Sequence, residues 1–234
     1  MKNFIRTIIL IIAISLLYKF SILGAEISTK FHHEPGFENF TNQNIYTTGQ
    51  FTDVDSSAWY ATEVARAFEY GLMNGNSSNT FGVTGNVTIA EVITLASRIK
   101  NTFYTGEADF APSDVWYRTY VDYALENSII TSEYSNYNAS ATRAQFAEIL
   151  SCALPSYALE EINWIEDDVI PDVKVNDTYG ETVYSLYRAG IITGSDENGT
   201  FNPNSTILRT EVSAIVTRMV DESSRKSFTL VGEY

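Results

Sequence analysis

Cysteine is nearly missing from this chain. Cys152 is the only one in 234 residues, so no disulfide can form within it and the fold must rest on core packing. Histidine is almost as scarce: His32 and His33 stand side by side in a polar stretch, which rules out histidine-based nucleophilic triads and gives a metal ion too few ligands. Positive charge is short too, with 15 Lys and Arg against 29 Asp and Glu and a formal net charge of −14. The cations are scattered and form no basic patch, so no nucleic-acid partner is expected. Apolar residues make up 44% of the chain, enough for a packed core.

Long apolar runs are missing except at the N-terminus. Lys2 and Arg6 precede an apolar stretch from Thr7 to Tyr18, and small residues follow at Gly24 and Ala25. This is the plan of a secretory signal peptide, and the run is shorter than the roughly 20 residues of a membrane span. The alternative is an uncleaved anchor from Phe4 to Leu23, interrupted by Arg6 and Lys19. A membrane is expected to matter only through this segment.

What is present is an internal repeat. Asp-Val pairs begin at Asp53, Asp114 and Asp172, spaced by 61 and 58 residues. The first unit runs from Phe51 through Trp59-Tyr60 to Gly71-Leu72-Met73-Asn74-Gly75. The second runs from Phe110 through Trp116-Tyr117 to Ser128-Ile129-Ile130, and the third from Ile170 through Tyr179 to Gly190-Ile191-Ile192-Thr193-Gly194. Each reads as helix, loop, helix. Val64, Ala67 and Phe68 share a helical face, as do Val121, Ala124 and Leu125, and Val183, Leu186 and Tyr187. Gly71 and Gly190 stand where left-handed caps should stop the first helices. The second helices carry Val92, Leu95, Ala96 and Ile99, then Phe146, Ile149 and Leu150, then Val212, Ile215, Val216 and Met219. Thr88 with Glu91, and Thr142 with Gln145, have capping-box spacing.

Phe51, Asp53, Val54, Trp59, Tyr60, Gly71, Gly75, Phe81, Thr88, Ala90 and Glu91 together resemble the S-layer homology module. Thr142-Arg143-Ala144-Gln145, Phe201-Asn202-Pro203 and Arg209-Thr210-Glu211 repeat parts of the same pattern. The resemblance implies an all-α fold in which three tandem helix-loop-helix repeats form a pseudo-threefold, three-pronged assembly around a central three-helix bundle. The chain then divides into a signal peptide (1–25), a flexible linker (26–50), repeats at 51–108, 109–168 and 169–220, and a tail (221–234). The resemblance also implies non-covalent attachment to a bacterial cell envelope, as a secreted wall protein, through an anionic secondary cell-wall polysaccharide such as a pyruvylated one.

Site residues follow from charge placement and from the resemblance. Arg143 and Arg209 fall in the first turn of a helix, where a cation opposes the dipole by about 0.3–1 kcal/mol. An anion there would meet both a guanidinium and free backbone N–H groups; the alternative is an ion pair between repeats. Losing both arginines is expected to weaken polymer binding and leave melting unchanged. Asp53, Asp114 and Asp172 either accept sugar hydroxyls or cap turns. Trp59 and Trp116 either stack on sugar or fill the core. Gly75 and Gly194 either let a ligand approach or simply turn the chain. Ile89 stands where an arginine is expected, Ser128 and Ser132 near expected glycines, and Leu208 in place of a capping threonine, so fewer than three competent sites are expected. The repeats leave no room for a catalytic domain, and no enzyme activity, cofactor or metal site is expected. The competing function is a scaffold whose repeats self-associate or dock another surface protein.

Overall fold

Six α-helices stand in the computed structural model, which describes residues 34–230. The expected signal peptide and the His32–His33 pair lie outside the described residues. The helices are α1 (Ala61–Glu69), α2 (Ile89–Thr105), α3 (Arg118–Glu126), α4 (Arg143–Ser151), α5 (Gly180–Arg188) and α6 (Arg209–Val220). Among the described residues β structure is limited to isolated bridges, so the fold is all-α.

Local chemistry sets the helix limits. After α1, Gly71 N–H donates to Phe68 O and Leu72 N–H to Ala67 O, with Gly71 at φ 67°. This is the two-bond C-terminal motif that needs a left-handed residue. Gly190 closes α5 in the same way at φ 70°, and Ser128 closes α3 at φ 56° despite its Cβ. At the other helices' starts, Thr88 and Thr142 each accept from the residue three further on, and Glu91 and Gln145 return a bond to the threonine N–H. Leu208 has no side-chain acceptor, so α6 keeps only the half supplied by Glu211 Oε2, 2.9 Å from Leu208 N.

The helices of one repeat are not each other's main partners. Instead α1 packs on α6, α2 on α3 and α4 on α5, and α2 also meets α4. The first helix of each repeat thus lies on the second helix of the preceding one, and the third repeat closes back on the first. Backbone hydrogen bonds at the centre show the same cycle. Val87 N–H donates to Ile207 O, Ile207 N–H to Ala141 O, and Ala141 N–H to Val87 O. Each of the three stands two residues before a second helix, and all are buried. Outside this triangle, Ile89 N–H donates to Ala139 O, Arg143 N–H to Ser205 O and Arg209 N–H to Gly85 O. The first N–H of each second helix is thus satisfied by the next repeat rather than by its own.

Several residues of the stretch 35–50, expected to be part of a linker, are tied to the helices, although much of it, Ile45 included, is exposed. Phe37 meets Phe103 edge-on at 5.5 Å, Asn39 Nδ2 donates to Phe103 O, and Gln43 and Asn44 N–H groups both donate to Glu69 O at the end of α1. Ile162 and Asn163 do the same to Arg188 O at the end of α5. The stretch after α6 is also tied down: Lys226 N–H donates to Gly190 O and Phe228 N–H to Asn163 Oδ1.

Candidate functional site

The two first-turn arginines reach across repeat boundaries. Arg143 Nε donates to Phe201 O at 2.5 Å, Nη1 lies 2.5 Å from Glu211 Oε1, and the guanidinium sits 5.3 Å from the Phe201 ring centre. Arg209 repeats the arrangement one repeat further on. Its Nε donates to Phe81 O at 3.0 Å, its Nη2 to Asn74 O at 2.6 Å, and Nη1 stands 3.6 Å from Glu91 Oε1, over the Phe81 ring. Both arginines are buried. Burial pulls the Arg209 pKa below its ordinary value, and the Glu91 and Asp53 charges oppose that shift; an arginine stays charged regardless. Glu91 and Glu211 each serve two ends, one oxygen in a helix cap and the other beside the neighbour's arginine.

The third junction is neutral on both sides. Ile89 stands in the arginine position and Gln145 in the glutamate position, with Gln145 Oε1 still accepting from Thr142 N–H. Charge is lost from both members together. An unpaired buried arginine or an arginine-free glutamate is absent there, as expected if these residues form ion pairs between repeats.

The arginines therefore make structural pairs, yet each also floors an open cleft. One cleft, about 380 Å³, is bordered by Trp59, Arg143, Gly194, Glu211 and Arg218. Its counterpart, about 260 Å³, is bordered by Trp116, Arg209, Gly75, Glu91 and Arg98. Every component matches by position in its repeat, and each cleft draws on all three repeats. Trp59 and Trp116 are 64% and 53% exposed, so they belong to the cleft rims rather than the core. A third hollow, about 460 Å³, lies beside Phe40, Tyr70 and Gly106. It is ringed by no tryptophan and draws on the N-terminal segment, so it is not part of the repeated geometry.

The other expected residues hold loops. Asp53 accepts from Phe81, Gly82 and Val83 N–H groups, and Asp172 from Phe201 and Asn202, all within their own repeats. Burial alone would raise the Asp53 pKa, but the three backbone donors outweigh it and hold the carboxyl below its usual range. Among the described residues Asp114 is exposed and forms no such clasp. A Cβ on Gly75 would come within 2.6 Å of the Phe51 ring, and one on Gly194, at φ 84°, within 2.5 Å of the Gly199 backbone. Both glycines are required by the loops themselves while facing the clefts.

Two expectations change. The N–H groups of Arg143, Ala144 and Arg209 are already bonded to Ser205 O, Pro203 O and Gly85 O of the next repeat, so these three amides are not free to meet an anion. Removing these arginines must also affect stability, because each is held by an ion pair, a carbonyl and a ring. Sequence reasoning treated Glu91 as a cap and Glu211 only as part of the repeated motif, and passed over Arg98 and Arg218. Aligning the repeats from the first residues of α2 and α6 places both arginines nine residues on, and that register is the signal that finds them.

Fold and clefts define a helical repeat protein whose two matching clefts form where repeats meet. The S-layer homology domain model matches residues 50–93 and 170–212. The intervening repeat has the same helix cap, capping box and central bonds. The Surface-layer 125 kDa protein of Lysinibacillus sphaericus is 22% identical over 187 residues, covering 76% of this chain and 15% of that protein. The chain thus spans about 15% of the length of that relative. Both comparisons point to the cell wall or surface layer.

Proposed function

We propose that the chain attaches non-covalently to the bacterial cell wall by seating an anionic secondary polysaccharide in the two tryptophan-rimmed clefts. The three cross-repeat helix pairs are read as the prongs, with the clefts between them. The observation that carries the reading is the duplicated set of exposed Trp, arginines and loop glycine. An exposed indole offers an apolar face to a sugar ring at the solvent boundary. Each cleft is bordered by two arginines and one glutamate, a local excess of positive charge on a chain of net charge −14. An acidic surface repels a polyanion everywhere else, so binding is confined to the clefts.

The third junction carries Ile89, Gln145, Cys152 and Thr178 at the positions of Arg, Glu, Arg and Trp. It lacks both arginines and the indole, and Lys100, whose Nζ donates to Asn127 O and Cys152 O, is tied to the backbone there, so two sites per chain follow. The test is sedimentation with wall sacculi that retain or lack their secondary polymer. Polymer-dependent co-sedimentation, lost in Trp59→Ala with Trp116→Ala at unchanged melting temperature, supports the reading. Concentration-dependent self-association with no dependence on polymer contradicts it and favours a scaffold.

A further inference from the structure

The first-turn arginines Arg143 and Arg209 are already engaged by Glu211, Glu91 and backbone carbonyls. Eight arginines lie among the described residues. Arg66, Arg118, Arg143, Arg188, Arg209 and Arg225 each stand within 4 Å of a carboxylate oxygen. Arg98 and Arg218 have no such partner among the described residues, and they are the two that occupy the same register on the walls of the two clefts.

Arg218 is 8% exposed, donates through Nη1 to Ile191 O at 3.1 Å, and keeps an enclosed Nε with no acceptor. Glu63 acts on it through space without reaching bonding distance, and burial lowers its pKa. Arg98 donates through Nη2 to Gly71 O at 2.9 Å and is half-buried. Each guanidinium is thus aimed by one carbonyl, with donors left over. A buried cation with spare donors is costly to leave unpaired, and a carboxylate or phosphate oxygen in the cleft would recover that cost through charge-assisted bonds.

We infer that Arg98 and Arg218 directly hold the anionic substituent of the bound glycan, whereas Arg143 and Arg209 brace the cleft floors. This rests on the wall-binding reading above.

The test compares Arg98→Gln with Arg218→Gln, together, against Trp59→Ala with Trp116→Ala on polymer-bearing and polymer-stripped sacculi. The arginine pair is expected to weaken binding by about tenfold or more, with a shallower dependence on salt. Because Arg218 is buried, Arg98→Gln is also measured in the Trp59→Ala background, where one cleft remains; binding there is expected to vanish. Unchanged affinity in the folded arginine variants, with binding lost in the tryptophan variant, overturns this inference and leaves wall binding standing. No polymer-dependent binding by the unaltered chain removes both.

Discussion

Ser128 holds a conformation that its side chain disfavours. At φ 56° it occupies the position that glycine fills at residues 71 and 190. A left-handed L-residue costs roughly 1–2 kcal/mol, so Ser128→Gly is expected to stabilise the chain by about 1 kcal/mol, seen as a higher urea midpoint. Arg143 illustrates the opposite case. Replacing it with Ile strands Glu211 and is expected to destabilise by about 2–4 kcal/mol, less than a fully buried pair because Glu211 is partly exposed. Adding Glu211→Gln recreates the Ile89–Gln145 junction and should recover much of that loss. A double-mutant cycle in denaturant measures it; additive losses would mean that the pair is not coupled. The register showed these arginines in the sequence. Their partners were hidden because Glu211 and Glu91 lie in other repeats, and a capping role already accounted for Glu91.

Among the loops, Asp53 clasps the segment Phe81–Val83 through three backbone donors. Its pKa is lowered in the folded state, so its stabilisation is complete above the unfolded value near pH 4 and is lost as pH falls through the lower folded value. Asp53→Asn is therefore expected to flatten the acid limb of a stability-versus-pH curve below about pH 4 while changing it little in shape at neutral pH. An unchanged acid limb would show that the clasp contributes nothing to the titration.

The helices themselves were legible, since Gly71, Gly190, Thr88–Glu91 and Thr142–Gln145 are short-range signals. The flanking stretches were not. Gln43 and Asn44 fall in the expected linker and Asn163 in the expected second repeat, yet their donors close the ends of α1 and α5. Asn163 is buried and bonds Tyr187 O, Lys226 O and Phe228 N–H together. Asn163→Ala is expected to cost about 2–3 kcal/mol and to open residues 226–230 to limited proteolysis.

On the scale of the whole molecule, the repeats are interlocked rather than stacked. The triangle Val87–Ile207–Ala141 joins residues far apart in sequence, and each cleft takes its tryptophan, floor arginine and loop glycine from three different repeats. Periodicity within a repeat reports which face of a helix is apolar, but not which helix covers it. The all-α class and the repeat were therefore readable, whereas the exchange of partners and the makeup of the clefts were not. Interlocking also explains why the charge pattern of one junction can differ from the other two without disturbing them: each junction is satisfied by its own pair of neighbours.

Calorimetric titration with defined fragments of the wall polymer tests the account most directly. Two fragments per chain are expected, falling to one in Trp59→Ala and one in Trp116→Ala. Three equivalent sites, or a stoichiometry that neither tryptophan changes, would contradict it.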